Sequence, residues 1–176
     1  MQTVLPLETE IRERVLKEFE KNPRAMTPSI ARTLGIGEVH VIRHMPNGKS
    51  RELDIKRWEE LIRSFEDLGK VHVIVNTGVV VLECFGQFGN FSTMGEWFNV
   101  QTSTIDMHIR HVELHSVFAV EKPGHMDGVN TLSFQFFNRE GQTAFKVFLT
   151  FGGDAPPAPK VEQFKALTEK FLLKQD

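Results

Sequence analysis

The chain reads as an α+β protein: a helical N-terminal part, then an antiparallel β-meander sheet packed by a C-terminal helix. Three observations carry this. Up to about residue 69, apolar residues recur at spacings of three and four. From Val71 the period changes to runs rich in Val, Ile, Thr and Phe, joined by short turns. After the Gly- and Pro-rich breaker 152–159, helical spacing returns. Successive strands on short turns pair antiparallel, because parallel pairing needs long crossovers.

Taken in order, Ile11, Val15, Leu16 and Phe19 predict a helix from Glu8 to Lys21, ended by Asn22-Pro23. Thr27-Pro28-Ser29 reads as an N-cap with proline at the first helical position, opening a helix that stops at Gly35. A short third helix is predicted from about Glu38 to His44. A longer amphipathic segment follows from Ile55 to Leu68, with Gly69 as its C-cap. Strands are expected at 71–78 and 79–85 around a Thr-Gly turn, at 97–100, at 103–109 and at 112–120. A hairpin is expected from 129–137 and 143–151, around Asn138-Arg139-Glu140-Gly141. Val161, Phe164, Leu167, Phe171 and Leu172 mark the terminal helix. The expected organisation is one domain over 1–176. It comprises a helical, helix-turn-helix-like part at 1–69, the sheet at 70–154 and the last helix at 160–174.

Composition narrows the chemistry. At 176 residues, folding buries roughly 70% of the extended chain's surface, so no disulfide or metal staple is required. Cys84 is the only cysteine, which fits a reducing, cytoplasmic compartment. No run approaches the ~20 apolar residues of a membrane-spanning helix, and the N-terminus lacks the pattern of a secretory signal. A net charge of -2 gives no global reason to seek nucleic acid. There are 15 Phe and no Tyr, so phenolate is excluded as an iron ligand or catalytic acid.

The histidines hold the remaining chemistry. In Ile105-Asp106-Met107-His108-Ile109-Arg110 the apolar residues alternate with Asp106, His108 and Arg110, which puts those three on one strand face. Beyond Arg110 the alternation changes phase, so a turn or bulge is expected there. On a strand His111 and His115 stand about 13 Å apart, which argues against a tight zinc site. No H-E-x-x-H, C-x-x-C, G-x-S-x-G or Walker loop is present, and Cys84 sits in an apolar strand as an inert thiol. No catalytic residue is assigned. An apolar ligand needing one axial donor and a few cations remains, and a porphyrin fits that description. Phe91, Met94, Trp97 and Phe98 can wall such a cleft, with His108 as iron donor and Arg110 meeting a carboxylate. The same aromatics can equally be core, and spacing alone admits both readings.

Residues 73–78 with Glu83, then Trp97-Phe98-Asn99, Met107-His108-Ile109 and Phe136-Phe137-Asn138-Arg139-Glu140-Gly141 through Leu149, resemble the ChuX/HutX family of intracellular haem-utilisation carriers. That resemblance implies half of a HemS/ChuS-like two-repeat architecture, a homodimer, and haem held as cargo for a haem-degrading or storage partner, without catalysis. Of two histidines implicated in such carriers, one matches His108 and the other falls at Asn76. His72 shares the strand face of Asn76 and can substitute, though about 13 Å displaced. The competing reading is a ligand-sensing regulator. Ala31, Gly35 and Val41 fall where a helix-turn-helix places its small, turn and core residues, and Arg43, His44, Lys49 and Arg51 would meet phosphate.

Overall fold

Ile11, Val15 and Phe19 form the buried stripe of α1 (Glu8–Lys21), as their spacing predicts. The computed structural model describes residues 8–46, 49–124, 129–149 and 155–174. Helix α2 (Thr27–Leu34) ends at Gly35, whose φ of 65° is left-handed; a side chain there would cost roughly 1–2 kcal/mol. Met26 stands at its N-cap and Pro28 within its first turn. Thr27, predicted to cap, instead donates its hydroxyl to Glu38 at 2.6 Å. Helix α3 (Glu38–Arg43) follows Gly37. A Cβ on Gly37 would stand 3.0 Å from the carbonyl oxygens of Glu140 and Gly141, so glycine lets α3 start against the turn at 138–142.

Strand β1 (Ser50–Leu53) has no apolar alternation and is invisible to periodicity. The segment predicted as one helix over 55–68 is a 3-10 turn (Ile55–Arg57), α4 (Trp58–Ser64) and a second 3-10 turn (Phe65–Leu68). Of the apolar face its spacing predicts, Trp58, Leu61, Ile62 and Phe65, the last three are buried and Trp58 is half-buried; Leu68 is buried as well. Gly69 has φ 66° and ψ -140°, so it turns the chain but is not the left-handed cap expected.

The strands are β2 (Val71–Asn76), β3 (Val81–Gly86), β4 (Phe91–Met94), β5 (Trp97–Gln101), β6 (Asp106–Arg110), β7 (Ser116–Pro123), β8 (Asn130–Phe137) and β9 (Thr143–Phe148). Helix α5 (Ala158–Phe171) closes the chain. The end of the predicted strand, 150–151, and the start of the breaker, 152–154, lie outside the described residues. The α+β class with antiparallel pairing is observed, but the strands divide between two sheets. One has six strands in the order β1-β7-β8-β9-β2-β3; the other has three in the order β4-β5-β6. The phase change after Arg110 is a 3-10 turn over His111–Glu113, which delays the strand predicted from Val112 until Ser116.

Strand parity gives the large sheet two different faces. Val73, Val117, Phe134, Phe136 and Val147 point into the main core, where they meet α4, α5 and the inner face of the small sheet through Phe98, Val100 and Ile109. The opposite face carries Phe118, Val120 and Phe137 under α1, α2 and α3. Each such Phe contributes about 1.5–3 kcal/mol by burial. Four of the six α3 residues, Glu38, Val39, Val41 and Ile42, are buried. Arg43 is paired with Glu52 at 3.1 Å, His44 with Glu8 at 2.8 Å, and Arg51 with Glu169. The element expected to enter a DNA groove is therefore packed on the sheet, with three of its four phosphate-seeking side chains facing carboxylates.

One buried ion pair fastens this helical cap. Glu38, the first residue of α3, receives Lys146 of β9 at 2.5 Å together with the hydroxyls of Thr27 and Thr143. Burial raises the Glu38 pKa, but the Lys146 charge and these hydrogen bonds outweigh it and hold the carboxyl below its ordinary value. Such a pair contributes stability that is full above the unfolded carboxylate range and lost as pH falls through the folded pKa. Glu38→Ala is therefore expected to lower the unfolding free energy by about 3–5 kcal/mol in urea titrations at neutral pH. The gap from wild type should close only in acid; a gap independent of pH would place the stabilisation elsewhere.

Candidate ligand site

The small sheet presents His108 on its outer face. Registers Met94↔Trp97, Trp97↔Arg110 and Asn99↔His108 put Met94, Trp97, Asn99, His108 and Arg110 on that one side. His108 is exposed, as are Met94 and Trp97. Phe98 is the correction: it lies on the opposite face, fully buried, edge-on to Trp58 at 5.2 Å and stacked near Phe91 at 5.7 Å. It is core and cannot wall a cleft with His108. Arg110 is exposed but held by Glu96 at 2.9 Å and Glu113 at 3.3 Å, so its charge is already answered.

The imidazole of His108 is oriented from behind. Its Nδ1 lies 2.7 Å from Asn99 Oδ1, while Asn99 Nδ2 donates to Ser92 Oγ at 3.0 Å. In the neutral ring this makes Nδ1 the N–H and leaves the Nε2 lone pair outward, 3.4 Å from one Asp106 oxygen. A carbonyl behind Nδ1 is the usual second partner of a metal-binding histidine. The other histidines are placed differently. His111 stacks on Trp58 at 4.8 Å and reaches Gly95 O at 3.3 Å, and His115 is exposed.

A second place comes from the other face of the large sheet. A cavity of about 490 Å3 lies between α2 and strands β2, β3, β7, β8 and β9. Ile74, Val79, Val81, Phe148 and Pro28 supply its apolar wall; Arg32, Lys122, Lys146 and Gln135 supply its polar groups. Lys122 is pushed down to about 8 by burial and by the charges of Lys146 and Lys49. Its Nζ donates to two backbone carbonyls, those of Arg24 and Pro123. Among the described residues neither Lys122 nor Arg32 has a carboxylate within ion-pair distance. Buried Gln135 donates to Ser133 Oγ at 3.0 Å, and its side-chain carbonyl oxygen has no partner among the described residues. A buried amide end without a partner costs about 1–3 kcal/mol, which a polar group on a ligand would recover.

Asn76 lines this cavity, and its side-chain oxygen accepts the Gly78 N–H at 2.8 Å, capping the β2–β3 turn. His72 does not line it. It is 2% exposed, stacked on Phe85 at 4.1 Å and paired with Glu83 at 3.0 Å, so it is closed to a ligand at Asn76. Burial lowers its pKa despite Glu83. Asn76 and His108 also fail to meet, since the core and the small sheet lie between them.

The sequence reading missed Lys122, Lys146, Arg32 and Gln135. Parity offered a signal for two of them. Lys146 alternates with buried Phe145 and Val147, and Lys122 continues the stripe of Phe118 and Val120. Lysines in phase with one sheet face mark where that face opens. Arg32 and Gln135 gave no such signal.

These features define a class: an α+β domain with a ligand-sized, cation-edged cleft on one side and a presented imidazole on the other. The family is narrower. A family model described as haem utilisation ChuX/HutX matches residues 51–167, and the chain belongs to that family. The intracellular heme transport protein HutX of Vibrio cholerae serotype O1 is 22% identical over 164 residues, which is 91% of this chain and 83% of that protein. The structure of the heme binding protein ChuX superposes with TM-score 0.75 at 22% identity, covering 91% of this chain and 97% of that one. The heme degrading enzyme ChuS of Escherichia coli O157:H7 superposes with TM-score 0.76 at 22% identity, covering 96% of this chain but only 48% of that one. The fold is thus half of the two-repeat architecture. No described helix is long and apolar enough to cross a membrane.

The Asn99 contact predicts an observable tautomer. Nitrogen NMR of the neutral protein is expected to show His108 protonated on Nδ1, and Asn99→Ala should shift the balance toward Nε2–H. A wild-type ring protonated on Nε2 would refute the orientation.

Proposed function

We propose that the chain is a cytoplasmic, non-catalytic haem carrier that holds haem as cargo and passes it to a haem-degrading or storage partner. One observation carries this: the cleft joins an apolar wall to two cations, Lys122 and Arg32, that have no carboxylate partner among the described residues. That is the complement of a flat apolar ring bearing two propionates. The volume falls within the roughly 300–1,000 Å3 range of small-molecule sites. Family membership and the names of HutX and ChuX support the same reading.

His108 enters this reading from a second copy. Within one chain it faces away from the cleft, so both can touch one haem only in a dimer, where the small sheet of each copy covers the cleft of the other. Two features support that. The fold is half of ChuS, whose single chain holds twice its length. The β2–β3 hairpin beside the cleft also exposes Val79, Val80, Val81, Leu82 and Phe85, an apolar edge of the kind that partners cover. Met94 and Trp97 would then lie against the ring, with His108 Nε2 toward the iron. Arg110, to meet a propionate, must leave Glu96.

Titrating the apoprotein with haemin should give a saturable Soret change; its absence would remove the carrier reading. His108→Ala is expected to weaken and shift that spectrum, and an unchanged spectrum would remove His108 as the donor. The Lys122 charge is present below about 8 and lost above it. Haemin affinity should therefore weaken as pH rises from about 7 to 9 in wild type, and stay flatter in Lys122→Met.

A further inference from the structure

The cleft contains an iron donor of its own. Four side chains lining it carry atoms able to bind iron: Met26, Glu83, Lys122 and Lys146. Three are engaged. Lys146 is neutralised by Glu38 at 2.5 Å, Glu83 is paired with buried His72 at 3.0 Å, and Lys122 donates to two backbone carbonyls. Among the described residues, Met26 offers a soft thioether that needs no proton removed before it binds, whereas the unpartnered Gln135 oxygen is a hard amide donor, poorly suited to haem iron.

Its placement breaks two local rules. It occupies the N-cap of α2, where Ser, Thr, Asn or Asp would satisfy an orphan N–H, and no side-chain cap bond is made. It is also a large apolar side chain 48% exposed at the mouth of the cavity. Departures from local preference without a packing gain concentrate at functional positions.

We propose that the Met26 thioether is the axial ligand this chain offers to haem in its own cleft, opposite the imidazole supplied by a second copy. The inference rests on the haem reading above. Mixed sulfur–imidazole ligation raises the reduction potential of haem iron relative to two imidazoles. The cargo would then be held more tightly when ferrous, and its release would follow the oxidation state of the iron.

The test compares wild type, Met26→Leu and Met26→His in haemin titrations under oxidising and reducing conditions, with the potential of bound haem measured in each. Leucine conserves volume and keeps the half-exposed apolar contact, so folding is preserved. Met26→Leu should lose the sulfur-to-iron charge-transfer absorption and lower the potential. It should also weaken ferrous haem binding by at least the roughly 10–100-fold that loss of an outer-shell partner costs. Met26→His should give a low-spin spectrum of two nitrogen donors. Leucine and histidine variants with the wild-type spectrum and potential would overturn the assignment while leaving the carrier reading intact. A wild type that binds no haemin would overturn both.

Discussion

The ion pair between Glu38 and Lys146 is the constraint on which the cleft side of the molecule depends. Lys146 must stand on the polar face of the large sheet because strand parity puts Phe145 and Val147 in the main core. A buried ammonium there is tolerable only with an anion beside it, and α3 brings one at its first residue. Gly37, pressed against Glu140 and Gly141, permits the close approach. The threonines on both sides complete the carboxylate's hydrogen bonds. Such a pair adds little net stability over an apolar one, but removing one partner is costly, so it specifies where the helices sit. With Lys146 satisfied, Lys122 and Arg32 remain as cations lining the cleft without a carboxylate partner among the described residues.

The same parity separates the two halves of the binding chemistry. The small sheet must turn Phe98, Val100 and Ile109 inward to complete the main core. That forces Met94, Trp97 and His108 outward, away from the cleft. The cleft and the outward-facing His108 thus cannot serve one molecule within one copy. In the proposed dimer, association would close the site and dissociation would open it. For the proposed carrier, a site divided between copies would give a route to release that needs no internal rearrangement.

Much of the fold was legible because amphipathic periodicity and turn chemistry are local. The stripes of α1 and α4, the left-handed Gly35 and the hairpins β2–β3 and β8–β9 follow from neighbouring residues alone. Strand β1 was not legible, because Ser50-Arg51-Glu52 is defined by its pairing with β7. Nor was the partition into two sheets, which depends on β9 pairing with β2 across seventy residues of chain. At the site, strand parity correctly placed His108 and Arg110 on one face. Phe98 was misplaced because it was grouped with Trp97 by adjacency, although adjacent strand residues point oppositely. His72 shares the predicted face with Asn76, but its burial under Phe85 is a tertiary fact. The cleft drew on α2, β7, β8 and β9 together, so no local window contained it.

The claim that one haem is held by the cleft of one copy and His108 of another is tested by mixing two impaired variants. Lys122→Glu spoils the cleft and leaves His108; His108→Ala spoils the ligand and leaves the cleft. After subunit exchange, mixed dimers contain one site with both parts intact, so haemin binding with the wild-type spectrum should reappear in the mixture. A mixture that binds no better than the sum of its two parents would contradict a site shared between copies.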